Sequence, residues 1–356
     1  KAITFEDDGP ANNDATVNIN VDEDELTGLS TGIADGDGTT TVAAFTGAQI
    51  AGLVNPGADA PVTVSLNAAI DTVDTGLNSK GFDVSFNYVD ATHVNGVSTD
   101  ARTVFTLVQA VGGDTLLGTA DDQFTFTLLD QVDHTGTGDA ETLALSLANV
   151  FKATDFDGDT IVINAGATVT IENDVPENNQ IALETRTVFE DGLTGLSTGI
   201  GGGATSTVFT AAQLKTLVSP GADEDVTIKL ADGTQLSGDT GLDSKGFDVS
   251  WVVADATHIN GVAISDAHRV VFTLVDDGAG NFTFTLLDQI DHTPNNAASS
   301  DSDVSQTIDL AKAFVATDFD GDFVVLDNGA LVAINNDVPE NNQIALETRT
   351  VFEDGL

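Results

Sequence analysis

The sequence predicts an all-β fold of tandem β-sandwich repeats, arranged end to end, with one short helix in each. Three observations carry that expectation. The chain repeats itself, its apolar residues alternate with a period of two, and clusters of Gly, Asn and Asp punctuate the alternating runs.

The repetition sets the domain organisation. ELTGLSTGI at 25–33 returns as GLTGLSTGI at 192–200, and DTGLNSKGFDVS at 74–85 as DTGLDSKGFDVS at 239–250. FTFTLLDQVDH at 124–134 returns as FTFTLLDQIDH at 282–292, and ATDFDGD at 153–159 recurs at 316–322. NDVPENNQIALETRTVFEDGL at 173–193 is repeated letter for letter at 336–356. This reads as two units and the opening of a third, a piece of a longer array. ITFEDDGP (3–10), VTIENDVP (169–176) and VAINNDVP (332–339) each end an alternating run at a proline. Proline holds its predecessor extended and cannot continue a central strand, so linkers are expected around Pro10, Pro176 and Pro339. The expected division is the end of a preceding repeat over 1–10, repeats over 11–174 and 175–337, and the start of a third over 338–356.

Within a unit, the runs at 82–86, 104–108, 124–128 and 169–171 alternate apolar and polar residues. So do their second-unit counterparts from 247, 270 and 282. Such runs are expected to be half-buried antiparallel strands, seven to nine in each unit, immunoglobulin-like or cadherin-like in plan. The exception is FTGAQIAGLVNPG at 45–57, matched by FTAAQLKTLVSPG at 209–221, where a threonine cap and an Ala/Gln/Leu stretch predict a short helix.

Composition narrows the function. The 356 residues carry 57 acidic against 11 basic side chains, a net charge of −46. That field repels phosphate backbones and anionic lipid, which argues against nucleic-acid and membrane-surface partners. No apolar run reaches the roughly 18 residues that span a bilayer, so membrane insertion is not expected. KAITFEDDGP is not a signal-peptide pattern. Hydrophobic residues make up 41%, enough for cores, and the absence of Cys removes thiol catalysis, thiolate zinc sites and disulfides.

Two groups of acids are candidate metal ligands. Asp155, Asp157 and Asp159, and again Asp318, Asp320 and Asp322, set three carboxylates at alternate positions with a glycine between the last two. Calcium takes six to eight oxygens, and a tight turn with three carboxylates supplies a large share of them. The opening resembles an EF-hand loop, but its twelfth position, a bidentate Glu in that motif, is Gly166 or Gly329 here. The alternative is a solvated Asp-Gly turn. The second group lies at the linkers: Glu6, Asp7 and Asp8; Glu172, Asn173 and Asp174; Asn336 and Asp337. It is followed by Glu23 and Asp24, Glu190 and Asp191, and Glu353 and Asp354. Carboxylates crowded at a hinge repel unless a cation bridges them, and the expected bridge joins Glu172, Asp174 and Glu190 or Asp191. The alternative is a hydrated polar linker.

Other residues read as structural. Asp35 and Asp37 have no counterpart in the second unit. His134 and His292, and His93 and His258, recur without a nearby second metal ligand, so hydrogen-bonded structural histidines are expected. Trp251 stands where the first unit has Phe86, a core or strand position. No nucleophile elbow, metalloprotease helix or phosphate-cradling loop is present. Paired carboxylates duplicated in every unit argue against a glycosidase, so no enzyme and no small-molecule substrate is expected.

The IENDVPEN stretch at 171–178 resembles the linker of cadherins, where an acid-Asn-Asp-x-x-Pro stretch ligates calcium between domains. The wider pattern combines ATDFDGD, the NDVP junction, the FTFTLLDQ[VI]DH strand and an acidic, cysteine-free array. It resembles the repeat region of large type I-secreted RTX adhesins of Gram-negative bacteria, over essentially the full chain. That resemblance implies calcium-stabilised extender domains at the bacterial cell surface, partnered by neighbouring repeats of the same adhesin, that project a binding tip and support adhesion and biofilm formation. A second reading is a module whose sandwich face or calcium site recognises a sugar or surface. Its expected sign is exposed aromatic residues in loops.

Overall fold

The computed structural model describes residues 8–29, 39–135, 138, 141–196, 202–223, 225–292 and 305–337. The fold is all-β. Two compact units are present: Lys1–Asn179 with Lys215–Ile228 and Val315–Leu326, and Gln180–Leu214 with Lys229–Phe314 and Asp327–Leu356. The units therefore depart from the repeat boundaries, since two segments of the second sequence repeat belong to the first compact unit.

In the first unit the largest sheet has six antiparallel strands. Their spatial order is Val42–Thr46, Gln123–Leu128, Thr103–Ala110, His93–Ser98, Phe82–Asp90 and Asp74–Ser79. The period of two works as expected: Phe124, Phe126 and Leu128 are buried while Thr125 and Thr127 are half-buried. A three-stranded sheet of Thr142–Ser146, Ala167–Glu172 and Val17–Asp22 and another of Thr160–Val162, Phe151–Thr154 and Thr63–Leu66 contribute to the same core. Its centre is aromatic. Phe45 and Phe124 meet Phe151 edge-on at 6.4 and 5.1 Å, and Phe105 stacks on Phe126 at 5.0 Å.

The second unit repeats the six-strand order with Ser206–Thr210, Asn281–Leu286, Arg269–Asp276, His258–Ala263, Phe247–Asp255 and Asp239–Ser244. Trp251, 8% exposed, meets Phe272 edge-on at 5.4 Å, as Phe86 meets Phe105 at 6.0 Å. It is a core residue, as its alignment with Phe86 implies.

Both short helices form. Gly47–Ala51 is capped by Thr46, whose hydroxyl accepts the Gln49 N–H while the Gln49 side chain accepts the Thr46 N–H. Thr210 and Gln213 make the same reciprocal cap before Ala211–Leu214.

Two expectations need correction. The described residues of the first repeat hold fourteen strands from Ala11–Asn12 to Ala167–Glu172, not seven to nine, because several are fragments of two to four residues. The pairing is also not wholly antiparallel. Val17–Asp22 runs parallel to Ala167–Glu172, and Arg186–Phe189 parallel to Leu331–Asn335. Each of these pairs joins the start of a repeat to its end, about 150 residues on, which alternation along one strand cannot reveal.

Candidate metal centre

Each triple-Asp stretch turns the corner between two short antiparallel strands. In the first, the Asp155 N–H donates to the Asp159 carbonyl at 3.0 Å, and Asp155 Oδ1 accepts the Gly158 and Asp159 N–H groups at 3.1 and 2.8 Å. Gly158 sits at φ 112°, a conformation that only glycine adopts without strain. Asp318 and Gly321 repeat the arrangement, with Gly321 at φ 114°. In each loop one oxygen from each of the three carboxylates lies within 4.8 Å of the others, a grouping that can hold a metal ion. Asp155 Oδ2, Asp318 Oδ2 and Asp320 Oδ1 are buried and make no hydrogen bond.

The second loop belongs to a larger acidic centre within the first unit. Parallel pairing puts Asp22 opposite Glu172, so the chain past each strand, carrying Glu23 on one and Asn173 and Asp174 on the other, emerges at one end. Glu23 is fully buried; its Oε1 accepts the Val132 N–H at 2.5 Å, and its Oε2 makes no hydrogen bond. The Gln131 amide donates to Asp223, which is 0% exposed, and the Asn173 amide donates to Asp322 at 2.5 Å. Asp320 accepts the His134 N–H at 2.9 Å, and Asp322 the Gly138 N–H at 3.0 Å. The Pro-Gly turn before Asp223 comes close beneath the linker: a Cβ on Gly221, at φ 73°, would lie 2.9 Å from Asp174 Oδ1. Gly57 meets Asp8 in the same way, its Cβ position 2.6 Å from the Asp8 carbonyl oxygen.

Electrostatics mark the centre as short of positive charge. Burial, then the charges of Glu23, Asp320, Asp318 and Asp133, push Asp223 up to about 10. Burial, with the hydrogen bond and charge of Asp320, pushes Asp318 up to about 8. Glu23 is raised well above the carboxylate range, first by burial and then by Asp174, Asp320 and Asp22. Among the described residues the ion pairs of Lys and Arg go to Asp100, Asp130, Asp225, Asp266 and Asp288, and none reaches Glu23, Asp223, Asp318 or Asp320.

A neighbouring carboxyl that takes up a proton gains an O–H donor, and a bound cation accepts an oxygen lone pair; either one satisfies a buried amide oxygen. Gln131 Oε1 and Asn173 Oδ1 are buried without a hydrogen bond, each on a side chain whose nitrogen already donates to a carboxylate. A buried acceptor with no donor costs about 1–3 kcal/mol. An all-oxygen set of carboxylates and amide carbonyls suits a hard divalent cation.

The second unit assembles the same motif from its own residues. Glu190 Oε1 accepts the Ile290 N–H at 2.5 Å and its Oε2 the Asp337 N–H at 3.2 Å. Glu190, Gln289, Asn336 and Asp337 line a cavity of about 140 Å³.

The sequence expectations meet this geometry unevenly. Asp155, Asp157 and Asp159 come together, as do Asp318, Asp320 and Asp322. The bridge expected among Glu172 and Asp174 of the first unit and Glu190 or Asp191 of the second stays an expectation. Asp174 keeps company with Glu23, and Glu190 with Asp337, because the parallel strand pairs join each repeat's start to its own end. Asp24 is half-buried, its N–H donating to Asp22 Oδ1 at 3.0 Å, and Asp191 and Glu172 are likewise half-buried. Glu6, Asp7, Asp35, Asp37, Glu353 and Asp354 lie outside the described residues. Sequence reasoning missed Asp22, Gln131, Asp133 and Asp223. The available signal was recurrence, since Asp223 follows a Pro-Gly-Ala repeated before Asp59, and Gln131 lies in the repeated LDQ[VI]DH run.

The histidines divide. His93 and His258 are hydrogen-bonded at exposed turns, each Nδ1 3.0 Å from Asp90 or Asp255. His134 and His292 are not the hydrogen-bonded residues expected: both rings are buried, no ring nitrogen makes a hydrogen bond, and each Nε2 lies 3.4 Å from Glu23 or Glu190. Burial lowers the pKa of His134 and favours the neutral ring. No protein family, characterised protein or solved structure matches the chain. No helix among the described residues is long and apolar enough to cross a membrane.

Proposed function

We propose that the chain is a set of calcium-stabilised extender repeats of a bacterial cell-surface adhesin of the type I-secreted RTX kind, acting outside the cell as a rigid spacer for a binding tip. In this reading each repeat is an immunoglobulin-like or cadherin-like β-sandwich, set end to end with its neighbours, and there is no catalytic role. One observation carries the calcium: amide oxygens on Gln131 and Asn173 that are buried without a hydrogen bond, beside Glu23 and Asp223, which no Lys or Arg among the described residues pairs with. Calcium is the biological hard cation whose flexible coordination accepts mixed carboxylate and amide oxygens.

The triple-Asp loops are calcium ligands in this reading. Asp157→Ala removes an anionic ligand, whereas Asp157→Asn keeps an oxygen and loses the charge. Both weaken calcium binding, Ala by about tenfold or more, because ligand charge tunes such sites over decades. Asp320 follows the same ranking. Calcium titrations of the melting temperature check this, and identical curves for parent and variants would reduce the loops to solvated turns.

Small-angle scattering tests the spacer itself. Two units set end to end, each roughly 40–50 Å long from strands of some ten residues with their loops, give a maximum dimension of about 100 Å in calcium. Chelation broadens the distribution toward bent forms. A side-by-side pair in millimolar calcium would sink the spacer reading.

One observation favours the binding-module reading instead. Phe156 is 80% exposed at the tip of the first Asp loop, and Phe319 is 52% exposed in the second. These are the exposed loop aromatics that a module for sugars or surfaces would carry, although Trp251 is buried and Tyr88 half-buried.

A further inference from the structure

Two basic side chains of the first unit stand beside the acidic centre without pairing with its carboxylates. Arg102 and Lys80 both grip Asp130, the neighbour of Gln131. The Arg102 guanidinium donates through Nε to Asp100 Oδ2 at 2.7 Å, and through Nη1 to Ser79 Oγ at 3.1 Å and to Asp130 Oδ2. Its Nη2 donates to the Ser79 carbonyl at 2.8 Å. One planar fork therefore ties the end of strand Asp74–Ser79 to the segment that leaves strand Gln123–Leu128.

That segment, 129–134, belongs to no strand, so its course is set by the acceptors its N–H groups find. Leu129 and Asp130 donate to the Val104 carbonyl at 2.8 and 3.1 Å, and Asp133 to the Asn78 carbonyl at 2.9 Å. Gln131 donates to Asp130 Oδ1 at 3.1 Å, Val132 to Glu23 at 2.5 Å and His134 to Asp320 at 2.9 Å. Asp130 is thus held by Arg102 through one oxygen and holds the Gln131 backbone through the other. The Gln131 side chain then enters the centre, its nitrogen on Asp223 and its oxygen buried without a hydrogen bond.

The second unit repeats the fork across a change in the loop that supplies it. Arg269 lies eight residues after Gly261, whereas Arg102 lies six after Gly96, and its Nε partner is Asp266, three residues back rather than two. Even so, Arg269 donates to Ser244 Oγ at 2.9 Å, to the Ser244 carbonyl at 3.1 Å and to Asp288 Oδ2 at 2.5 Å. Asp288 Oδ1 accepts the Gln289 N–H at 2.8 Å. The grip survives a longer loop, so it is not a by-product of copied loop sequence. We propose that Arg102 is a positioning residue for the cation: it fixes Asp130, and Asp130 aims the Gln131 amide oxygen at the metal. The proposal rests on the calcium reading above. The Arg102 charge is met by Asp100 and Asp130, so it orders the centre without neutralising it.

Calcium titration calorimetry of the full chain tests this, run well below each variant's metal-free melt, with melting curves in EDTA recorded alongside. Gln131→Leu removes the amide oxygen and marks the class of sites it serves. Arg102→Gln and Arg102→Lys each weaken that class by about tenfold, the effect of losing a group that orients a metal ligand. Lysine does not rescue, because one ammonium keeps the charge but cannot hold Ser79, Asp100 and Asp130 together. Added to Gln131→Leu, neither substitution weakens binding further, since the group it positions is gone. Should the Arg102 variants fail to fold, Asp130→Asn reads the same link: it keeps an acceptor for the Gln131 N–H, loses the charge that Arg102 grips, and shows the same loss. Parent-like calcium affinity in either Arg102 variant, whatever its melting temperature in EDTA, makes the fork a clamp on the fold and overturns the proposal. So does a loss that adds in full to that of Gln131→Leu, or a Gln131→Leu variant that binds calcium like the parent. Each of these leaves calcium binding by the parent standing, whereas a parent that binds no calcium overturns both readings.

Discussion

Removing divalent cations with EDTA lowers the melting temperature by ~10–20 °C if each unit holds two sites, and by more if it holds further ones. The native form gathers Glu23, Asp223, Asp318 and Asp320 where, among the described residues, no Lys or Arg pairs with them, against a chain charge of −46. The unfolded chain lets the same charges separate, so a cation binds the native form and has little hold on the unfolded one. With free cation about a hundredfold above its dissociation constant, each independent site adds about 2.7 kcal/mol. Units of this size shift by about 2–4 °C per kcal/mol, which gives the range stated. The total is comparable to the stability of an ordinary domain, about 5–15 kcal/mol, so the metal-free chain sits near its folding threshold. Differential scanning calorimetry in calcium and in EDTA measures it, and superimposable curves would falsify the calcium reading.

The response to pH reverses between the two conditions. Without metal, Asp223 at about 10 and Asp318 at about 8 bind protons more tightly when folded than in the unfolded chain, where a carboxyl titrates near the usual value of about 4. A raised folded pKa contributes stability that is fully present below the unfolded pKa and is lost as pH rises through the folded one. The metal-free protein therefore gains stability as pH falls from about 8 to about 5, as protons take up the missing positive charge. In calcium the sign is opposite, because protons compete for the same oxygens and weaken metal binding. The two sets of melting temperatures converge on acidification. Parallel lines over that range would show that the raised carboxyls and the cation do not share a site.

The sequence made the strands, the helix caps and the triple-Asp loops legible, because each is written within a short stretch. Alternation in 124–128 puts Phe124 and Phe126 inside, and Thr46 with Gln49 spells its own cap. The assembly of the acidic centre was not legible. Asp174 stands near Glu23 through a parallel pairing between residues some 150 positions apart, and neither strand's pattern records its partner. Gln131 and Asp223 escaped for a related reason. A lone glutamine after a strand and an aspartate after Pro-Gly-Ala look like ordinary surface residues until the fold buries both and sets one against the other. His134 and His292 departed from expectation because burial without a hydrogen bond leaves no mark in a sequence.

The parallel neighbours that open and close each repeat also decide how a unit meets a pull on its ends. In the first unit Val17–Asp22 and Ala167–Glu172 lie side by side in register over six residues, and tension drags them in opposite directions along their length. Every hydrogen bond between them then shares the load, and the ladder yields only by sliding as a whole, whereas an antiparallel hairpin pulled from its open end unzips rung by rung. The matching pair in the second unit, Arg186–Phe189 with Leu331–Asn335, is in register over four residues. Under drag the shorter ladder slips first, and the six-residue one holds until it has.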